Sequence, residues 1–177
     1  MKGEGNLRGL VYAALFGALT AVGAYIAIPM PPVPITMQTF FVSLAGALLG
    51  GVLGAMSQVV YLLMGVIGLP VFAGGKAGFG VLLGPTGGYL FGFILGAYVT
   101  GRLTAMRKEA GLWWLMGAML AGYVFIYVPG LLQLMAVANL DLGRAVAVGL
   151  VPTIPGGVVK IVLAALVVRK VRGYFKT

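Results

Sequence analysis

Long uncharged, apolar runs alternate along the chain with short segments rich in glycine, proline or basic residues. No charged residue lies between Arg8 and Lys76, and further uncharged runs cover 77–101 and 110–140. The runs are continuous rather than alternating, which favours helices over the strands of a membrane barrel. Because a helix needs about 20 apolar residues to cross the hydrocarbon, the pattern predicts an all-α integral membrane protein.

The runs predict six transmembrane helices packed in one compact bundle, so that residues 1–177 form a single membrane domain. Pro29 ends the first helix, because proline lacks the backbone donor that a helix needs. The predicted spans cover residues 9–28, 36–50, 53–67, 87–104, 112–137 and 152–171.

Two irregular segments separate the predicted spans. Segment 29–36 is rich in proline and is predicted to be extended. Segment 69–86 belongs to the stretch 68–89, whose eight glycines and two prolines cannot propagate a helix. Irregular backbone at membrane depth must be buried in protein or line a cavity. We therefore expect both segments to form a lid over a pocket, with a flexible linker as the alternative for 69–86.

The basic residues concentrate on one side of the predicted topology. The formal net charge is +9, and with six spans nine of the twelve Lys and Arg residues fall on the side of both termini. This distribution is typical of cytoplasmic loops. The charge therefore indicates how the chain is oriented in the cell membrane, where lipid surrounds it, and we expect no nucleic acid partner. The nine residues are Lys2, Arg8, Arg102, Arg107, Lys108, Arg169, Lys170, Arg172 and Lys176. The two lid segments and the connection 138–151, also predicted to be irregular, are then expected to face outward.

The residue types exclude most enzyme chemistry. The only acids are Glu4, Glu109 and Asp141, and both histidine and cysteine are absent. Without these groups in a span we expect no metal site, no general base, no proton relay and no cofactor. The glycines match neither a phosphate-binding loop nor a dinucleotide fingerprint. The chain is therefore expected not to be an enzyme and not to bind ATP itself.

Lys160 stands inside the last predicted span. A lysine there costs about 2.5–3.5 kcal/mol and usually faces the bundle interior or a wet cavity. No acid lies near it in the sequence, so we expect it to hold an anionic ligand, with snorkelling to the interface as the alternative. Further candidates for the same pocket are Gln38, Phe72, Lys76, Phe79, Thr86, Tyr89, Gln133 and Asn139. Helix capping or bonding between helices is the alternative for each polar one.

The first span carries small residues four positions apart, among them Ala14 and Ala18. Such spacing gives a smooth face on which another helix approaches closely. The face serves either packing within the bundle or contact with a partner.

Three motifs in order resemble the BioY family, the biotin-binding S-components of energy-coupling factor (ECF) transporters. They are Pro32-Val-Pro-Ile-Thr-Met-Gln-Thr39, the run 61–74 and the run 84–92. The resemblance implies a six-helix membrane protein that captures biotin from outside and works with a transmembrane coupling component and two ABC-type ATPases. It also implies that Ala14 and Ala18 contact the coupling component.

One position departs from the pattern of that family, which usually reads Pro-Gly-Asp-x-x-Lys at the start of the last helix. Here the segment 155–160 reads Pro-Gly-Gly-Val-Val-Lys, so Gly157 stands in place of the aspartate. We expect Gln38, Gln133 or Asn139 to replace the lost acceptor, or the specificity to differ.

The resemblance assigns roles to the other candidates as well. Lys160 is expected to pair with the biotin carboxylate or to form the polar end of the site, with Lys76 assisting. Phe72, Phe79 and Tyr89 are expected to pack on the rings and the valeryl chain. The alternatives are an S-component for another small vitamin or carboxylate, and a structural membrane protein without substrate.

Overall fold

The computed structural model describes residues 2–107 and 109–175 of the chain. Its helices are α1 (Lys2–Tyr25), α2 (Gln38–Leu49), α3 (Gly51–Val66), α4 (Gly87–Ala105), α5 (Leu112–Ala138), α6 (Leu142–Gly149) and α7 (Ile154–Val171). Strands β1 (Ala27–Ile28) and β2 (Ile35–Thr36) form a short antiparallel hairpin. The six predicted helices are therefore present, and α6 is an addition.

Helix α2 lies at the centre of the bundle. It packs against α1, α3, α4, α5 and α7, and all of its residues from Val42 to Leu48 are buried. Helix α1 packs on α2 and α3, which leaves its opposite face open to the surroundings. Large apolar side chains remain exposed on α1, α4, α5 and α7, as expected for a bundle whose solvent is lipid.

Close helix packing depends on glycines at the crossing points. A Cβ atom added at Gly101 of α4 would lie 2.4 Å from the backbone of Gly50 and Gly51. At Gly92, farther up the same helix, it would lie 2.6 Å from the carbonyl oxygen of Ile126 in α5. Such approaches are typical of helix interfaces in membranes, where small residues let backbones meet.

The turn between α2 and α3 is a single residue. Gly50 has φ of 83°, a conformation that residues with a Cβ rarely adopt, and its N–H donates to the Gly46 carbonyl at 2.9 Å. The boundary between the predicted spans 36–50 and 53–67 is thus a single break at Gly50 between two helices.

Two local predictions are corrected by the structure. The first helix ends at Tyr25 rather than at residue 28, because Ala27 and Ile28 pair with β2 instead of continuing the helix. The connection 138–151 is not irregular throughout but contains α6, whose N-terminus is capped by Asp141 accepting from the Arg144 N–H at 3.0 Å. An aspartate N-cap is a recognisable helix-start signal, so the sequence did contain this information.

Among the described residues, three helical stretches are long and apolar enough to cross a membrane, namely Leu7–Tyr25, Leu112–Ala138 and Leu142–Phe175. Helices α2 and α3 have 12 and 16 residues, and at about 1.5 Å per residue neither reaches the roughly 30 Å of a hydrocarbon core. Helix α2 is surrounded by other helices, whereas α3, joined to it by Gly50, exposes one apolar face with Val52 and Leu63.

Alanine at Gly101 is predicted to destabilise the bundle by about 1–3 kcal/mol, because its Cβ overlaps backbone atoms that cannot move independently. Gly117 is the matched control, since it is exposed on α5 and no heavy atom lies within 4 Å of an added Cβ. Melting of the two variants in detergent measures the difference. A Gly101→Ala protein as stable as Gly117→Ala would contradict the packing described.

Candidate ligand-binding site

A cavity of about 90 Å³ lies at the end of the bundle where α2, α4 and α7 begin. Its wall combines the hairpin region 32–36, the start of α2, the glycine-rich segment, and residues of α4, α5 and α7. Both predicted lid segments therefore contribute residues to one cavity.

Lys160 lies at the buried side of this cavity, with 6% of its side chain exposed. Its Nζ donates to the Thr36 carbonyl at 2.9 Å and to the Thr39 hydroxyl at 2.8 Å. These bonds turn the ammonium inward, so the alternative of snorkelling does not describe this structure. The Lys160 ammonium thereby links α7 to Thr36 and Thr39, where β2 ends and α2 begins.

A chain of hydrogen bonds runs from this junction to the glycine-rich segment. The Thr36 hydroxyl donates to Gln38 Oε1 at 2.8 Å, and Gln38 Nε2 donates to the Tyr61 hydroxyl. Tyr61 in turn donates to the Val71 carbonyl at 3.1 Å. Any ligand group that bonds Gln38 therefore acts on a side chain already linked to the lid.

The charged groups that line the cavity among the described residues are Lys160 and Lys76. Lys76 is exposed at the rim, in a tight turn where its carbonyl accepts from the Phe72 N–H at 3.0 Å. Two cations at different depths, without an acid beside them, favour a ligand that carries negative charge.

Aromatic side chains form the apolar part of the wall. Tyr89 and Phe93 are four residues apart on α4 and share one face, and Tyr127 of α5 stands perpendicular to Tyr89 with ring centroids 5.8 Å apart. The Tyr127 and Thr153 hydroxyls are 2.6 Å apart. Mixed apolar walls with a few placed polar groups are typical of small-molecule sites.

The structure brings six of the ten candidate residues together at the cavity wall and leaves four elsewhere. The six are Gln38, Phe72, Lys76, Thr86, Tyr89 and Lys160. Phe79 is 59% exposed at the start of a 3-10 turn, and Asn139 is exposed at the C-terminus of α5, with φ of 51°. Gly157 lines a separate apolar groove of about 310 Å³ between α5 and α7.

Gln133, the fourth, is bound to the lid. Its Nε2 donates to the carbonyls of Leu82 and Gly84 at 2.7 and 2.8 Å. It thus satisfies two backbone groups that a glycine-rich segment cannot satisfy by itself.

Sequence reasoning missed Phe93, Tyr127 and Thr153 on the cavity wall, and it missed Tyr61, which bonds the wall residue Gln38. Phe93 could have been found, because it follows the candidate Tyr89 by four residues on one helix. Tyr61 and Tyr127 are hydroxyl-bearing residues within apolar spans, and buried tyrosine hydroxyls usually have a partner. Nothing in the sequence distinguishes Thr153 from an ordinary helix-start threonine.

Ala14 and Ala18 are exposed on α1, whereas the neighbouring Ala13 and Gly17 are buried. A Cβ atom at Gly17 would lie 2.9 Å from the Ser57 carbonyl oxygen of α3. The row with Ala13 and Gly17 therefore packs within the bundle, and the row with Ala14 and Ala18 faces outward from it.

Replacing Gln133 with leucine is predicted to loosen the segment 78–86, because two lid carbonyls lose their donor. Loss of about 1–2 kcal/mol of local stability should speed amide exchange there about tenfold. Hydrogen–deuterium exchange measures it, with Gln58→Leu as the matched control, since Gln58 bonds Thr20 and Ser57 away from the lid. Equal exchange in both variants would show that Gln133 does not hold the lid.

The comparisons with known proteins agree with this geometry. The model of the BioY family matches residues 1–177. The chain is 46% identical over 166 residues to the biotin transporter BioY of Thermotoga maritima, covering 94% of this chain and 96% of the relative. It is 40% identical over 176 residues to the biotin transporter BioY of Rhizobium etli, covering 94% of each chain.

A solved structure is similar as well. It is the crystal structure of the S-component for biotin from an ECF-type ABC transporter, with a TM-score of 0.89, 28% identity, and coverage of 99% of this chain and 100% of that chain. The resemblance read from the three motifs is confirmed, as is the compact helical bundle. The chain belongs to the BioY family.

Proposed function

We propose that this protein is the substrate-capture subunit for biotin uptake in an ECF transporter. It binds biotin in the cavity around Lys160 and delivers it across the membrane. The observation that carries the proposal is a buried, inward-turned cation at a cavity in a chain whose relatives are named biotin transporters.

The cavity matches the chemistry of biotin, which has a carboxylate, a polar ureido ring, a thioether ring and an apolar chain. Lys160 and Lys76 provide positive charge at two depths, and Phe72, Tyr89 and Phe93 provide apolar wall. A volume of about 90 Å³ is below the roughly 300 Å³ at which drug-sized pockets begin. The segments 29–36 and 69–86 therefore move apart to admit the ligand and close over it.

The orientation follows from charge. Arg102, Arg107, Arg169, Lys170 and Arg172 lie at the end of the bundle opposite the cavity, where Arg172 donates to the Thr104 carbonyl at 3.2 Å. Lys108 and Lys176 lie outside the described residues. The positive-inside rule supports a basic end that faces the cytoplasm, and in the proposed orientation both termini are inside, the cavity is outside, and the protein lies in the cell membrane.

The exposed row with Ala14 and Ala18 on α1 is the proposed contact with a transmembrane coupling component. Small residues let a partner helix approach closely. Two ABC-type ATPases bound to that component supply the energy, since this chain contains no nucleotide-binding motif.

Gln38 is the proposed replacement for the acceptor that Gly157 lacks. It is 4% exposed and lines the cavity, whereas Gln133 is bound to lid carbonyls and Asn139 is exposed at a helix end. Because Gly157 stands where the family usually has an aspartate, it favours a second candidate function, an S-component for a different small carboxylate. An added Cβ there would lie 3.4 Å from the Tyr123 ring, so the glycine is not required by packing.

Lys160→Met is predicted to weaken biotin binding by about 10- to 100-fold, because a charge-assisted hydrogen bond contributes roughly 1.5–3 kcal/mol. Calorimetry on the detergent-solubilised protein measures it. Lys170→Met is the matched control, since Lys170 is exposed near the opposite end of α7. Wild-type binding that survives Lys160→Met unchanged would refute the site. Tight binding of another vitamin but not of biotin would favour the second candidate.

Leucine at both Ala14 and Ala18 is predicted to abolish uptake of labelled biotin by cells that carry the partner proteins, while binding by the purified subunit is unchanged. The added side chains keep a partner helix at a distance without touching the cavity. Gly117→Leu, on an exposed part of α5, is the control and should transport normally. Normal uptake by the double variant would remove this row from the proposed interface.

A further inference from the structure

The hydroxyl of Tyr123 is a buried polar group that stands out in the part of the chain that the structure describes. The side chain is 5% exposed, and its hydroxyl has no hydrogen-bond partner among the residues that the structure describes. Leaving such a group unpaired costs about 1–3 kcal/mol, and native proteins rarely accept that cost without a functional reason.

The other buried tyrosines around the cavity differ in this respect. Tyr61 donates to the Val71 carbonyl at 3.1 Å, Tyr89 donates to the Gly149 carbonyl at 3.2 Å, and Tyr127 bonds the Thr153 hydroxyl at 2.6 Å. Partners for tyrosine hydroxyls are therefore available in this part of the bundle, and Tyr123 is the exception.

Tyr123 stands beside the group that holds Lys160. It lies on α5, one turn before Ile126 and Tyr127, which line the cavity. Tyr123 itself lines the neighbouring apolar groove with Gly157. Its hydroxyl is close to the Thr39 side chain, though outside hydrogen-bond geometry, and the Thr39 hydroxyl accepts from Lys160 Nζ at 2.8 Å.

Donors exceed acceptors at this place. An ammonium carries three hydrogens, and Lys160 uses two of them, on Thr36 and Thr39. Within the described residues the hydrogens of the Thr39 and Tyr123 hydroxyls have no acceptor either. Three donors from α2, α5 and α7 are thus left for a group that brings acceptors only.

We propose that Lys160, Thr39 and Tyr123 form a donor-only subsite for an oxygen acceptor of the ligand, and that Tyr123 determines specificity there. The subsite takes an ionised carboxylate or a urea carbonyl, and it discriminates against groups that present N–H donors. The inference rests on the proposed function, because it adds to the proposed biotin site a residue that lies next to the cavity rather than on its wall.

Tyr123→Phe removes only the hydroxyl. Biotin binding should weaken about tenfold, the loss expected for one buried hydrogen bond, while the melting temperature of the ligand-free protein stays equal or rises. Tyr98→Phe, partly exposed on α4, is the matched control and should bind as the wild type does. Unchanged biotin binding by Tyr123→Phe would overturn this inference but not the proposed function. A lower melting temperature of the ligand-free variant would also overturn it, because it would reveal a hydrogen-bond partner of the hydroxyl within the protein.

Two analogues identify the acceptor. Biotinol lacks the carboxylate, and 2-iminobiotin carries an N–H group where biotin has the urea oxygen. If the carboxylate occupies the subsite, biotinol should bind wild type and Tyr123→Phe equally, while 2-iminobiotin should keep the tenfold difference between them. If the urea oxygen occupies it, 2-iminobiotin should bind both proteins equally, while biotinol should keep the difference. A tenfold difference retained by both analogues would overturn the donor-only assignment. Failure of the wild type to bind biotin at all would instead overturn the proposed function, and the inference with it.

Discussion

The ammonium of Lys160 sets the constraint around which this end of the molecule is organised. In an apolar bundle a charged donor must find acceptors within the protein, and Lys160 finds them in the Thr36 carbonyl and the Thr39 hydroxyl. Those two groups are available only because the chain leaves α1 through the β1–β2 hairpin and enters α2 directly after it. The hairpin, the start of α2 and α7 are thereby fixed relative to one another, and the cavity lies among them.

The same requirement explains how an irregular glycine-rich segment is kept at the mouth of the bundle. Its turns bond part of its backbone groups internally, and neighbouring elements bond several others. Gln133 donates to two of its carbonyls, the Tyr25 hydroxyl donates to the Pro70 carbonyl, and the Gly78 N–H donates to the Gly65 carbonyl at 2.7 Å. These attachments are few and local, which suits the opening and closing that we propose for this segment.

The apolar runs predicted the bundle, and the position of Lys160 within a span predicted that this lysine is buried at a cavity, because burial of charge leaves few arrangements open. The pairing of Ala27 and Ile28 with β2 was not predictable, since two-residue strands carry no periodic signal. Gln133 and Asn139 illustrate the other limit. Polar residues near a helix end read alike in sequence, and only the fold reveals that one bonds the lid while the other ends α5.

The central claim is that biotin binds at Lys160, and a structure of the protein with biotin bound tests it most directly. The account predicts a ligand oxygen within about 3 Å of Lys160 Nζ, with the segments 29–36 and 69–86 closed over the ligand. Density for biotin in the apolar groove beside Gly157, with Lys160 still bonded only to Thr36 and Thr39, would contradict it.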